Sequence, residues 1–267
     1  MNKQIILSSY SKDEDKLFIS KILDKWQFSI KKNKICNTNF MNEYEKQLAL
    51  NLLSSQKVTN FMIYGGFENC QRNIIIFYPE KFDLNIVKNN LSKLIGFIRI
   101  ELPKELYQKY SHKDYLGGII KLGISREKIG DILVFENGAD IIATSDVLEY
   151  LSTNLSSLIR FQKSNIQILN IEKIRKSEQK MQEITLTIPS LRIDSIVADL
   201  CHTSRSKACQ LIEQENVYIN YNIVCKTNFM LKENDVLTIR HYGKYNILGI
   251  IGKTRKGNVL LKVEKYV

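Results

Sequence analysis

Few residues in this 267-residue sequence have the types and spacing that covalent or metal chemistry needs. Three histidines, His112, His202 and His241, have no cysteine or carboxylate neighbour at metal-ligand spacing, so no metal site is expected. The five cysteines (Cys36, Cys70, Cys201, Cys209, Cys225) are odd in number and never paired as Cys-x-x-Cys, which argues against a disulfide framework and a zinc ribbon. His112 and Asp114 could act together as base and carboxylate, although a helix-start residue bound to backbone or RNA explains the pair more simply. Gly252-Lys253-Thr254 mimics the end of a phosphate loop, but the earlier glycine would fall at Ile247, so a basic turn is the better reading. Gly65-Gly66 has no helix start with Ser, Thr or Lys behind it and reads as a turn needing positive φ. No catalytic residue, no cofactor and no small-molecule substrate are therefore expected.

What remains is charge. The 39 Lys and Arg residues against 28 Asp and Glu give a net charge of +11 and a pI near 9.3, which suits a polyanionic partner. The same balance also fits solvated lysines on a chain rich in Asn, Ile and Lys. Arg205 and Lys207 are the cations whose placement asks for a chemical reason. They fall in the first turn of a helix that Ser204 can cap, where cations oppose the helix dipole. A phosphate bound there would turn that opposition into attraction.

The elements around them follow from periodicity. Ile193, Ile196, Val197 and Leu200 give one apolar face to a first helix, with Arg192, Asp194 and Asp199 expected to point away. The second helix buries Ala208, Leu211 and Ile212, and Asn216 is expected to end it in the left-handed region. Strands at Val217–Asn220, Ile223–Val224 and Val236–Arg240 follow, with turns at Tyr221-Asn222 and 232–235, and Arg240, His241 and Lys244 form a basic cluster. Upstream, 12–30 and a segment holding Phe40, Tyr44, Leu48 and Leu52 read as helices, followed by a hairpin of 60–64 and 73–78. From 95 to 171 the order is βαββαβ, with a helix at 145–155 capped by Ser145. This is the ferredoxin-like order shared by RNA-recognition domains and by many others. Only Phe97 and Phe135 could serve as stacking aromatics, outside the usual motif, and Lys113, Lys121, Arg126 and Lys128 could add phosphate contacts.

The expected fold is α+β and multidomain. It comprises an N-terminal helical layer with a β-hairpin (1–80), a central ferredoxin or RNA-recognition-like domain (81–172), a polar linker (173–182) and a C-terminal module with a strand extension (183–267). The apolar run Ile5-Ile6-Leu7 is too short for a signal peptide, and no stretch approaches the roughly 20 apolar residues of a membrane helix. A cytoplasmic monomer without membrane insertion is expected.

Four signatures carry a resemblance. Leu191-Arg192-Ile193-Asp194, Ser204-Arg205-Ser206-Lys207-Ala208, Val217-Tyr218-Ile219-Asn220 and Asn234-Asp235-Val236-Leu237-Thr238-Ile239 resemble, in order, the S-four RNA-binding domain (an αL motif), named for the fourth small-subunit ribosomal protein. The resemblance implies RNA contacts by Arg192, Ser204, Arg205, Lys207 and Asn220, with Arg240 and Lys244 as additions on the next strand end. The glycines that such domains place after the second helix and in the strand turn are replaced here by Glu215-Asn216 and Tyr221.

Residues 111–117, 122–133 and Tyr64-Gly65-Gly66-Phe67-Glu68 extend the likeness to the YlmH family of bacterial RNA-binding proteins. That resemblance implies binding to rRNA and tRNA on the large ribosomal subunit during rescue or quality control of stalled nascent chains, without catalysis. An older association of the family is with cell division. Two alternatives stay open, an RNA-modifying enzyme targeted by an S-four domain and a division-associated adaptor. The sequence has no Gly-Arg-x-Asp loop, no Gly-x-Gly-x-x-Gly fingerprint and no His-Ile-Gly-His motif to favour an enzyme.

Overall fold

The computed structural model describes residues 3–175 and 181–266. The chain forms two compact units, Met1–Ser177 and Glu178–Val267. Among the described residues no helix is long and apolar enough to cross a membrane.

The first unit opens with α1 (Lys3–Ser8) and α2 (Asp13–Lys32). α2 begins on Asp13, Glu14 and Asp15 and ends on Lys31 and Lys32, charges that complement the helix dipole, and Asn33 stops it at φ 55°. β1 (Cys36–Asn37) precedes α3 (Glu43–Ser55). Asn42 and Glu45 form a reciprocal capping box that fixes the start of α3, so Phe40, expected inside this helix, stays outside it. The N–H of Phe40 donates instead to the Glu127 carbonyl at 2.8 Å. β2 (Phe61–Tyr64) and β3 (Ile74–Phe77) complete a sheet of order β1-β3-β2. Their link is the loop 65–73, close to the connection expected. Gly66 has a positive φ of 109°, whereas Gly65 is required by space, because a Cβ there would lie 2.5 Å from the Arg72 carbonyl oxygen.

Two short helices that periodicity does not reveal, α4 (Leu84–Asn89) and α5 (Leu91–Leu94), lead into the second sheet. Its elements are β4 (Ile95–Glu101), α6 (His112–Lys121), β5 (Ile129–Phe135), β6 (Gly138–Thr144), α7 (Ser145–Asn154) and β7 (Asn165–Leu169). The strand order β5-β6-β4-β7, antiparallel throughout, is that of a ferredoxin-like βαββαβ. Phe135 pairs directly with Gly138, and Thr144 rather than Ser145 occupies the cap position of α7. Ile98, Ile100 and Ile141 pack with Tyr115 and Ile119 of α6 and Leu148 and Leu151 of α7. On the opposite face Phe97 and Ile142 are fully buried in one cluster with Phe40, Ile74 and Ile76. Segments 1–80 and 81–172 thus share a core within this unit.

The second unit contains β8 (Met181–Ile188), α8 (Ile193–Leu200), α9 (Arg205–Glu213), β9 (Val217–Ile219), β10 (Asn222–Ile223), β11 (Val236–Ile239), β12 (Gly243–Lys253) and β13 (Val259–Tyr266). They form one antiparallel sheet of order β10-β9-β11-β12-β13-β8. Ile219, Leu237 and Tyr245 lie in register across it and join Ile193, Ile196, Val197, Ala208 and Ile212 in the core, so α8 and α9 cover one face. β8 starts at Met181, earlier than the expected end of the linker at 182. At the linker's other end Ile171–Lys173 is a 3-10 turn and Arg175 is bound to Asp140, because a buried carboxylate recruits it; residues 176–180 lie outside the described residues.

Candidate nucleic-acid interface

The start of α8 is pinned by backbone. The Ile193 N–H donates to the Phe229 carbonyl at 2.8 Å and the Leu231 N–H to the Leu191 carbonyl at 3.0 Å, leaving Arg192 at the cap position. Asp194 does not point away, as its charge suggests, but is only 2% exposed. It accepts from Arg192 Nε (3.2 Å) and Nη2 (2.8 Å) and from Arg205 Nη2 (2.7 Å). A carboxylate can be buried when cations satisfy it, and two guanidiniums do so here. Arg192 first, then Arg205, hold the Asp194 carboxyl down at about 2, against the upward push of burial.

The same contact aims the arginines. Their side chains remain 38% (Arg192) and 53% (Arg205) exposed, so guanidinium N–H groups beyond those spent on Asp194 are open to solvent. Ser204 caps α9 by accepting from the Lys207 N–H at 3.3 Å, as its position suggests. Lys207 is exposed and has no ion-pair partner among the described residues. Arg192 and Arg205 thus meet on Asp194, while Ser204, Arg205 and Lys207 share the start of α9. A shallow cleft of about 240 Å³ adjoins Arg205 and is lined also by Pro189, Ser195 and His202, the last in the left-handed region at φ 49°.

The other expected contacts lie elsewhere. Asn220 is at φ 48° and Tyr221 at φ 66°, so the two-residue turn between β9 and β10 is Asn220-Tyr221, one position earlier than expected. The Asn220 side chain donates to Asp235 (2.8 Å) and accepts from the Val236 N–H (2.9 Å), which ties that turn to the entry of β11. After α9 it is Glu215, at φ 58°, and not Asn216 that enters the left-handed region. Arg240 follows β11 and its N–H donates to the carbonyl of Asn216. That places it past the far end of α9, roughly 13 Å of helix from Arg205. Lys244 pairs in register with Thr238 on the sheet face away from the helices, its ammonium 4.9 Å from the Tyr221 ring centre and 4.7 Å from that of Tyr266.

In the first unit, Phe97 and Phe135 do lie on the sheet face opposite the helices, where RNA-recognition domains stack bases. That face is closed. Phe97 is fully buried, and the Arg175 guanidinium sits 4.0 Å over the Phe135 ring. Arg175 and Arg99 both bind Asp140, which is 0% exposed, an anchor absent from any local motif. Arg126 donates to the carbonyls of Ile129 (2.6 Å) and Gly130 (3.1 Å), and burial, then nearby Arg72, push it down to about 10. Lys128 pairs with Asp146 at 2.6 Å, whereas Lys113 and Lys121 are exposed. Asp114 accepts from the N–H and hydroxyl of Ser111, closing the capping box that starts α6, and from Arg160. Burial pushes the Cys70 thiol up to about 12 and Cys201 up to about 11, so neither is a ready nucleophile. Among the described residues no three His, Cys, Asp or Glu gather as a metal site.

The second unit carries a paired-helix arginine site on an antiparallel sheet, and the first a ferredoxin-like domain; both fall within regions that match families of RNA-binding domains. Residues 191–237 match the S4 domain, and residues 93–175 match the family described as "Putative RNA-binding domain in YlmH". The chain is 24% identical over 261 residues to "Ribosome-associated protein quality control protein P2" of Bacillus subtilis (strain 168), covering 94% of this chain and 95% of that one. It is also similar to the solved structure "Cell division protein ylmH from Streptococcus pneumoniae", at 23% identity and a TM-score of 0.48, over 62% of this chain and 98% of that chain. Both matched regions and the Bacillus subtilis relative make the chain similar to the YlmH family.

Proposed function

We propose that this protein binds structured RNA of the large ribosomal subunit, rRNA together with tRNA, in the quality control of stalled nascent chains. Binding is the function itself, exerted in the cytoplasm by a monomer. The observation that carries this reading is the Asp194 clamp, which holds two partly exposed guanidiniums together, Arg205 in the first turn of a helix that also carries the exposed Lys207. Guanidiniums in a fixed plane suit phosphate oxygens, and the helix-start amides favour the same ligand. The printed name of the Bacillus subtilis relative supports the ribosomal setting.

The test is a salt series of filter binding to large-subunit RNA. Arg205→Ala with Lys207→Ala is expected to weaken binding and to flatten the log affinity against log salt slope by roughly 0.9 per lost phosphate contact. An unchanged slope would remove the site. Co-sedimentation with large subunits carrying peptidyl-tRNA is expected, and recovery only with small subunits would overturn the ribosomal assignment.

A further inference from the structure

We propose a second RNA site in the first unit, a cleft for single-stranded RNA built by the N-terminal layer. This rests on the reading that RNA is the partner. The sheet face that stacks bases in RNA-recognition domains is covered here, with Phe97 and Ile142 fully buried and Arg175 over Phe135. Bases therefore have no platform on that sheet.

The layer that covers it offers one of its own. A cleft of about 490 Å³ lies between the end of α2 and the segment after β3, with Trp26, Ile30 and Tyr78 among its walls. That volume is within the roughly 300–1,000 Å³ of clefts that hold small organic ligands. Trp26 and Tyr78 are partly exposed and Ile30 is 58% exposed, so flat apolar surface is open to a base. Asn33 adds an amide at the same wall.

Two cations line this surface and three more each adjoin one of its wall residues in the chain. Lys57 and Lys81 line the cleft, Lys31, Lys32 and Lys34 flank Asn33, and none of the five has an ion-pair partner among the described residues. Glu80 is the single carboxylate of the lining. The dipole of α2 accounts for Lys31 and Lys32 in its last turn, but Lys81 lies outside any helix. Lys57 holds φ 53°, a conformation that costs a lysine more than a glycine. Aromatic walls with two lining lysines, Lys81 also 5.2 Å from the Phe82 ring centre, match a single strand, whose unpaired bases stack while its phosphates meet the lysines. A duplex keeps its bases stacked inside and offers the cleft only phosphates.

Trp26 is the sole tryptophan of the chain, so its emission reports on this cleft directly. The full chain is titrated with single-stranded oligouridylate, with a blunt RNA duplex and with a glutamate-rich peptide. Oligouridylate is expected to quench Trp26 saturably and the other two to do so weakly. Lys57→Glu with Lys81→Glu should abolish the quenching. The milder Lys57→Gln with Lys81→Gln, which leaves the core untouched, should flatten the salt slope by roughly 1.4, two contacts at about 0.7 each. Arg205→Ala with Lys207→Ala should leave the quenching intact, so this site and the site in the second unit fail separately. Absent quenching, or quenching that survives both lysine pairs, would overturn the proposal. Equal or stronger quenching by the peptide would assign the cleft to an acidic protein segment instead.

Discussion

Both units bury an aspartate between two arginines, and the two clusters end in opposite states. Asp140 is 0% exposed and its partners Arg99 and Arg175 are 18% and 24% exposed, with Arg99 also donating to the Lys173 carbonyl and Arg175 lying over Phe135. The Asp194 side chain is 3% exposed, yet those of Arg192 and Arg205 remain 38% and 53% exposed. One carboxylate spends its guanidiniums on closing a sheet face. The other orients them toward solvent. The carboxylate-arginine pairing is common to both clusters; what separates them is the exposure of the guanidiniums.

The comparison can be broken at four points. Asp140→Ala leaves two little-exposed guanidiniums uncompensated and is expected to cost about 3–5 kcal/mol in urea unfolding of the first unit. A cost below about 1 kcal/mol would mean that the closed cluster is not structural. Asp194→Asn should cost less, roughly 1.5–3 kcal/mol, because water can solvate the released arginines, and it should also weaken binding of structured RNA. The acid limb separates it further. The folded carboxyl titrates at about 2, below its ordinary 3.8, so its stabilisation is present above 3.8 and is lost as pH falls toward 2. Unfolding followed across that window should show the loss in the native chain and a smaller one in the Asn variant.

Asn220→Ala removes two turn hydrogen bonds from a residue in the left-handed region and is expected to cost about 1–2 kcal/mol with the RNA salt slope unchanged. A drop in RNA affinity at unchanged slope and unchanged fold would mark Asn220 as an RNA contact as well. Lys207→Ala should shift stability by less than about 0.5 kcal/mol while lowering the salt slope by roughly 0.9. A large stability loss there would show a structural partner for Lys207 in place of a phosphate.

Much of the helix-pair site is legible in the sequence because it is local. Ser204 lies three residues before the amide it caps, and the apolar period of 193–200 orients α8. Asp194 is misjudged by the same reasoning. Periodicity assigns a charge to the wet face, whereas its burial depends on Arg205 eleven residues on, across a loop. The turn Asn220-Tyr221 is displaced by one residue because neither position carries the glycine that marks such turns. In the first unit, the βαββαβ order can be read from alternating patterns, but not the closing of its open face. That closure needs Phe40, Ile74 and Arg175, which reach the sheet from outside the 95–169 segment.

The sheet of the second unit also fixes an order of assembly. Among the described residues β8 pairs only with β13, from Val259 against Ile188 to Tyr266 against Met181, so the first strand of the unit waits for the last one to be made. Chain closure over such a separation is slow compared with the local pairing of β9 to β11. During synthesis the helix pair can therefore form on a partial sheet while β8 remains an unpaired edge, open to strands of other chains until β13 inserts beside it.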